Sequence, residues 1–111
     1  MEEIVYDTNQ LIAFHKSGKH VVKGFTTILN IIEFPKALEL KELAVIYPTL
    51  DDYDETLKIS SALLRQGSPL PAVDILIAAV CIRRNLPLCT LDKHFTAIKS
   101  VRNAFKLDLT K

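Results

Sequence analysis

The chain has 111 residues, 49% of them hydrophobic and 24% charged, with a formal net charge of +1. That composition fits an ordinary globular domain, large enough to fold around its own core without disulfide or metal staples. The longest uninterrupted apolar run, Ile75 to Ile82, is eight residues, far short of the roughly 20 that cross a bilayer as a helix, and the acidic Glu2 and Glu3 do not suit a signal peptide. The expectation is a cytoplasmic protein of one domain, residues 1–111.

Ile4, Val5 and Tyr6 form a strand-like run ending at Asp7, and Asn9 to Lys16 places Leu11, Ile12 and Phe14 in a helix before a Ser-Gly-Lys break. Val21 to Phe25 reads as a second strand. Thr26 or Thr27 would cap a helix carrying Ile28, Leu29, Ile31, Ile32 and Phe34, with Glu33 inside it. Pro35 lacks an amide hydrogen and restarts the chain as a short helix over Lys36 to Lys41. Leu43 to Tyr47 is a strand stopped by Pro48. Thr49 or Asp51 then caps a helix reaching Gln66, with Tyr53, Leu57, Ser60 or Ser61, and Leu64 on one face. The breaker cluster from Gly67 to Pro71 precedes an apolar helix from Ala72 to Arg84, closed by Asn85 and Pro87. Leu86 to Thr90 is a strand, Asp92 caps a helix through Lys99, and Ala104 to Leu109 is a last edge strand. The β-α alternation predicts an α/β fold, a mostly parallel sheet between helical layers.

Cys81 and Cys89 lie in apolar segments without metal-motif spacing, so they read as reduced, buried thiols. Charge is uneven along the chain. From Glu39 to Glu55 six acids face only Lys41, whereas from Arg83 to Lys111 seven Lys or Arg face Asp92 and Asp108. That basic quarter suits either phosphate contact or plain solvation.

Three acids stand at equivalent points of the chain: Asp7 and Asp92 each follow a strand, and Asp74 opens the apolar helix. In an open parallel sheet, strand carboxyl ends form one edge and ligands collect in the crevice there. Each acid also suits ordinary helix capping, worth roughly 0.5–2 kcal/mol. Asp74 is less needed for that, since Ser68 is available as a cap and Pro71 as a first helical residue. Glu33, within Ile-Leu-Asn-Ile-Ile-Glu-Phe, is expected on a largely buried helix, where a carboxylate needs a partner. Lys36 three residues on is one partner; a cation shared with the other acids is another. Four oxygen donors without clustered His or Cys suit Mg²⁺ or Mn²⁺ rather than zinc.

These segments resemble the PIN-domain nucleases, especially the small VapC-type toxins of prokaryotic toxin–antitoxin modules. Val-Tyr-Asp-Thr-Asn-Gln-Leu-Ile resembles the family's first motif, with Asp7 as its metal ligand and Thr8 and Asn9 as supporting polar residues. Thr-Thr-Ile-Leu-Asn-Ile-Ile-Glu-Phe resembles the second and supplies Glu33. The stretch from Pro71 to Phe95 resembles the third and fourth together, supplying Asp74 and Asp92, with Thr90 as a supporting hydroxyl and Phe95 as a core anchor. The segment between Asp7 and Glu33 is short for the family. The resemblance implies a three-layer α/β/α fold and hydrolysis of RNA phosphodiesters with one or two Mg²⁺ or Mn²⁺ ions. It further implies a homodimer and a small antitoxin partner. Arg83, Arg84, Lys93 and Lys99 are candidate phosphate contacts, and His94 reads as a surface residue.

Other classes remain open. A non-catalytic module of the same fold that binds RNA or protein would not need all four acids. A haloacid-dehalogenase-like phosphatase would use Asp7 as nucleophile, but such enzymes resemble a pattern with a second Asp where this chain has Asn9. A receiver-like phosphoacceptor would need paired acids and a late Lys that have no counterpart.

Overall fold

The computed structural model describes residues 3–110. Five strands form one sheet: β1 (Val5–Tyr6), β2 (Val21–Thr27), β3 (Lys41–Ile46), β4 (Leu88–Thr90) and β5 (Leu107–Leu109). All pairings are parallel and the spatial order is β3-β2-β1-β4-β5. The expected mostly parallel sheet is therefore parallel throughout. The chain winds outward from β1 to β3, then returns to the other side of β1 with β4. That reversal leaves a crevice at the carboxyl ends of β1 and β4.

Helices α1 (Thr8–Lys16), α2 (Ile28–Glu33), α3 (Leu50–Arg65), α4 (Ala72–Arg83) and α5 (Thr96–Val101) cover the two faces. Alternation along the strands assigns them. Val5 and Leu88 face a core built by α3, α4, α5 and Phe105, with Ile59, Leu63, Ile77, Ala78, Phe95 and Ile98 buried in it. Tyr6, Val22, Leu43 and Val45 point the other way, against Leu11 of α1, Ile31 of α2 and Ala37. Helix α4, buried from Ile75 to Cys81, is apolar nearly all round because core residues surround it. Among the described residues no helix is long and apolar enough to cross a membrane.

Helices α3 and α4 end in the same way. The amides of Gly67 and Ser68 bond back to Leu64 and Leu63, and those of Asn85 and Leu86 to Ile82 and Cys81. Gly67 (φ 75°) and Asn85 (φ 56°) adopt the left-handed conformation this turn requires. Asn85 thus closes α4 as expected.

Several boundaries differ from expectation. Strand β2 runs on to Thr27, because Phe25, Thr26 and Thr27 pair with Ala44, Val45 and Ile46; Thr27 is accordingly the α2 cap. Pro35 starts a 3₁₀ turn to Glu39, and the helix expected after Asp92 divides into a 3₁₀ turn (Lys93–Phe95) and α5. Pro71, not Ser68, occupies the α4 cap position, without a side-chain cap. The face of α3 marked by Tyr53, Leu57 and Leu64 turns to solvent. Asp52, Ile59 and Leu63 are buried instead. A carboxylate holds that inward position because α4 brings Arg83 and Arg84 to it, at 2.9 and 2.8 Å from Asp52 Oδ1.

Candidate metal centre

Asp7 directly follows β1, and its backbone amide bonds to the carbonyl of Cys89 in β4, locking it into the crevice. The side chain is buried and heavily bonded. Oδ1 accepts from the Thr8 amide and from Asn30 Nδ2, both at 2.9 Å, and Oδ2 accepts from the Thr90 hydroxyl at 2.6 Å. A carboxylate has about four lone-pair sites. The fourth, on Oδ2, receives no hydrogen bond among the described residues.

Thr90, fully buried at the end of β4, ties Asp7 to the next acid: its Oγ1 also accepts from the Asp92 amide at 3.0 Å. Asn9 Nδ2 lies 3.4 Å from the same oxygen, and its Oδ1 receives the Leu91 amide at 3.4 Å. Asp92 Oδ1 caps the following turn through the His94 amide and meets His94 Nδ1, both at 2.9 Å. His94 is exposed, as expected.

Glu33 is not buried. It ends a six-residue helix whose neighbour Ile32 is two-thirds exposed, so the apolar flanks in the sequence misled as to its setting. Its described partner is neither Lys36 nor any other cation. The Thr8 hydroxyl donates to Oε1 at 2.6 Å. Asp74 lies in the first turn of α4, half-buried, and makes no side-chain hydrogen bond among the described residues. Burial first, then the charges of Asp92, Asp7 and Glu33 in that order, push its carboxyl above the ordinary value. Asp74 therefore stands within electrostatic reach of the other three acids.

Among the described residues, no three His, Cys, Asp or Glu side chains already stand where they would hold an ion by themselves. Asp7, Glu33 and Asp92 are each tied by hydrogen bonds to other groups. The donors of the four acids are all oxygens, and Mg²⁺ or Mn²⁺ commonly binds through a few carboxylates while retaining several waters. By donor chemistry the residues fit such an ion.

The basic candidates separate. Arg83 and Arg84 engage Asp52 at the far end of α4, about 14 Å along the helix from Asp74 at 1.5 Å per residue. Lys99 Nζ donates to the carbonyls of Asn103 and Phe105 at 3.0 and 2.5 Å. Lys93, beside Asp92, has no side-chain partner among the described residues. Asn30, wholly buried and bonded to Asp7, and Asp52, wholly buried and paired with Arg83 and Arg84, were not among the residues expected from the sequence. A lone amide in an otherwise apolar Ile-Leu-Asn-Ile-Ile run was the available signal for the first.

An all-parallel α/β sheet with four acids around its switch point defines the class of this protein, and the comparisons give the family. The PIN domain profile matches residues 20–101, a span that contains Glu33, Asp74 and Asp92 and begins after Asp7. The chain belongs to the PIN domain family. Solved structures with the same fold include VapBC2 from Rickettsia felis bound to a DNA fragment from their promoter, with a TM-score of 0.79 at 15% identity. DNA-bound VapBC from Salmonella typhimurium gives 0.78 at 18%, and VapBC-5 from Mycobacterium tuberculosis, of the VapBC family of toxin-antitoxin systems, 0.75 at 18%. Each match covers 97% of this chain and 98% of the other. No curated protein matches in sequence.

Proposed function

We propose that this chain is a divalent-metal-dependent endoribonuclease and the toxin of a toxin–antitoxin pair. The observation that carries the reading is the grouping of the acids: Asp7, fixed by three hydrogen bonds, lies with Asp92 and Glu33 within electrostatic reach of Asp74. In this reading Asp7, Asp74 and Asp92 hold Mg²⁺ or Mn²⁺. Such an ion lowers the pKa of a bound water and stabilises charge on a phosphate. Glu33, steadied through Oε1 by Thr8, binds the ion or orients the attacking water with its other oxygen. Thr90 and Asn9 keep the Asp7 and Asp92 segments in register.

Lys93 is the proposed phosphate contact nearest the acids. Contact through Arg83, Arg84 or Lys99 would require their present bonds to Asp52 and to backbone carbonyls to open. The structural relatives are VapBC assemblies, which supports a small antitoxin as partner. A homodimer is also proposed. Exposed apolar side chains on and before α3, among them Tyr47, Leu50, Tyr53 and Leu57, offer surface for such contacts.

The test is cleavage of a structured RNA pool by purified protein with Mn²⁺ or Mg²⁺, beside Asp7→Asn and Asp74→Asn variants and EDTA controls. Cleavage that both substitutions and EDTA abolish supports the reading. Cleavage indifferent to both substitutions places the activity elsewhere, and absence of both cleavage and metal-induced stabilisation favours a non-catalytic binding module.

A further inference from the structure

The centre contains a residue that neither binds an ion nor faces solvent yet joins two of the acids: Asn30. It is wholly buried in α2. Its carbonyl end accepts from Thr27, at 2.6 Å from the hydroxyl and 3.3 Å from the amide. Its amino end reaches Asp7 Oδ1 at 2.9 Å and Thr8 Oγ1 at 3.0 Å.

The chemistry of the partners permits one orientation only. A backbone N–H donates and a carboxylate accepts, so the Asn30 oxygen must face Thr27 and the nitrogen must face Asp7. The second N–H then occupies Thr8 Oγ1 as acceptor, which sends the Thr8 hydroxyl proton elsewhere. It goes to Glu33 Oε1, 2.6 Å away. A directed chain runs from the Thr27 amide through Asn30 to Thr8 and on to Glu33, with a branch to Asp7. Glu33 is exposed and ends its helix, so its other described anchor is only its own backbone.

We propose that Asn30 is a positioning residue of the metal centre: it orients Asp7 and, by fixing the proton direction of Thr8, holds Glu33 toward the same crevice. The inference rests on the metal-dependent reading above. It is separate from helix capping, because the capping contact uses the oxygen and the positioning contacts use the nitrogen. Asn30→Asp divides the two roles. The substitution is isosteric and retains an oxygen toward Thr27, but replaces the donor at Asp7 and Thr8 by an acceptor. Loss of a group that orients a metal ligand typically weakens metal affinity roughly 10- to 100-fold.

The experiment is Mn²⁺ titration of RNA-free protein, followed by the electron paramagnetic resonance of free Mn²⁺, at neutral pH. Wild type, Asn30→Asp, Asn30→Leu, Thr8→Val and the Asn30→Asp/Thr8→Val double variant are compared, each with its melting temperature. Asn30→Asp sets a second carboxylate against buried Asp7, so we expect it to melt below wild type while staying folded at the titration temperature, and to bind Mn²⁺ at least tenfold more weakly. Thr8→Val is expected to weaken binding less, and the double variant to fall short of the product of the two single effects. Wild-type binding that Asn30→Asp leaves unchanged or tightens overturns this inference alone, and Asn30 is then only a cap. Single effects that multiply independently in the double variant overturn it as well. Absence of Mn²⁺ binding by wild type overturns the metal-dependent reading and this inference with it.

Discussion

Replacing Asp52 by Asn tests whether a buried charge, rather than the apolar pattern, fixes how α3 lies on α4. The side chain is wholly buried, accepts from the Thr49 amide at 2.7 Å, and receives Arg83 and Arg84. Burial alone would raise its pKa, but the bonds from Arg84, the Thr49 backbone and Arg83 outweigh that and hold the carboxyl well below the usual range. Breaking a buried ion pair costs about 3–5 kcal/mol. Here both arginines reach water and Asn keeps one acceptor, so the expected loss is about 2–3 kcal/mol. Unfolding entropy of about 2.1 cal/mol/K per residue amounts to roughly 0.23 kcal/mol/K for 111 residues. The melting temperature should therefore fall by about 9–13 °C, read by circular dichroism at pH 7. Because the folded pKa is depressed, this stabilisation is complete above the unfolded carboxylate pKa of about 4 and fades as pH falls through the folded value. The gap between wild type and variant should hold from pH 7 to pH 5 and narrow under acid. Equal melting at pH 7, or a gap that widens with acid, would refute the argument.

Thr90→Val removes the hydroxyl that fixes Asp7 Oδ2, and should lower Mn²⁺ affinity or RNA cleavage roughly 10- to 100-fold; unchanged titration and cleavage would count against the assigned role. Asp74→Asn should raise the melting temperature of the metal-free protein at neutral pH. Its folded pKa is raised, so its contribution to stability declines as pH climbs through that value. The same variant should lose the stabilisation that saturating Mn²⁺ gives wild type, about 2.7 kcal/mol at a hundredfold excess over Kd; scanning calorimetry with and without the ion compares them. Gly24 has φ 149°, and a Cβ there would stand 2.8 Å from Tyr6 Cε2 and 3.1 Å from the Ile4 carbonyl. Gly24→Ala should cost about 1–3 kcal/mol in urea unfolding. Burial pushes both thiols above their ordinary values, so Cys81 and Cys89 should resist alkylation at neutral pH until denaturant is added.

The order of elements, the parallel α/β class and the places of the acids relative to the strands were legible from local signals. Asp7 after a short β run, Asp92 after β4 and Asp74 at the head of an apolar helix need only period, turn chemistry and capping rules to find. Asn85 and Gly67 were likewise visible as helix stops. The sequence also showed which donor chemistry the acids share, since residue type alone decides whether a hard cation suits them. What it could not determine was which groups meet. The face that α3 buries depends on two arginines some 30 residues later, Glu33 is exposed although Asn30 and Ile31 of the same helix are buried, and Asn30 meets Asp7 because β2 delivers it beside β1. Those outcomes belong to tertiary packing: periodicity records how often a position is apolar, whereas a buried polar group is placed by the distant partner that satisfies it.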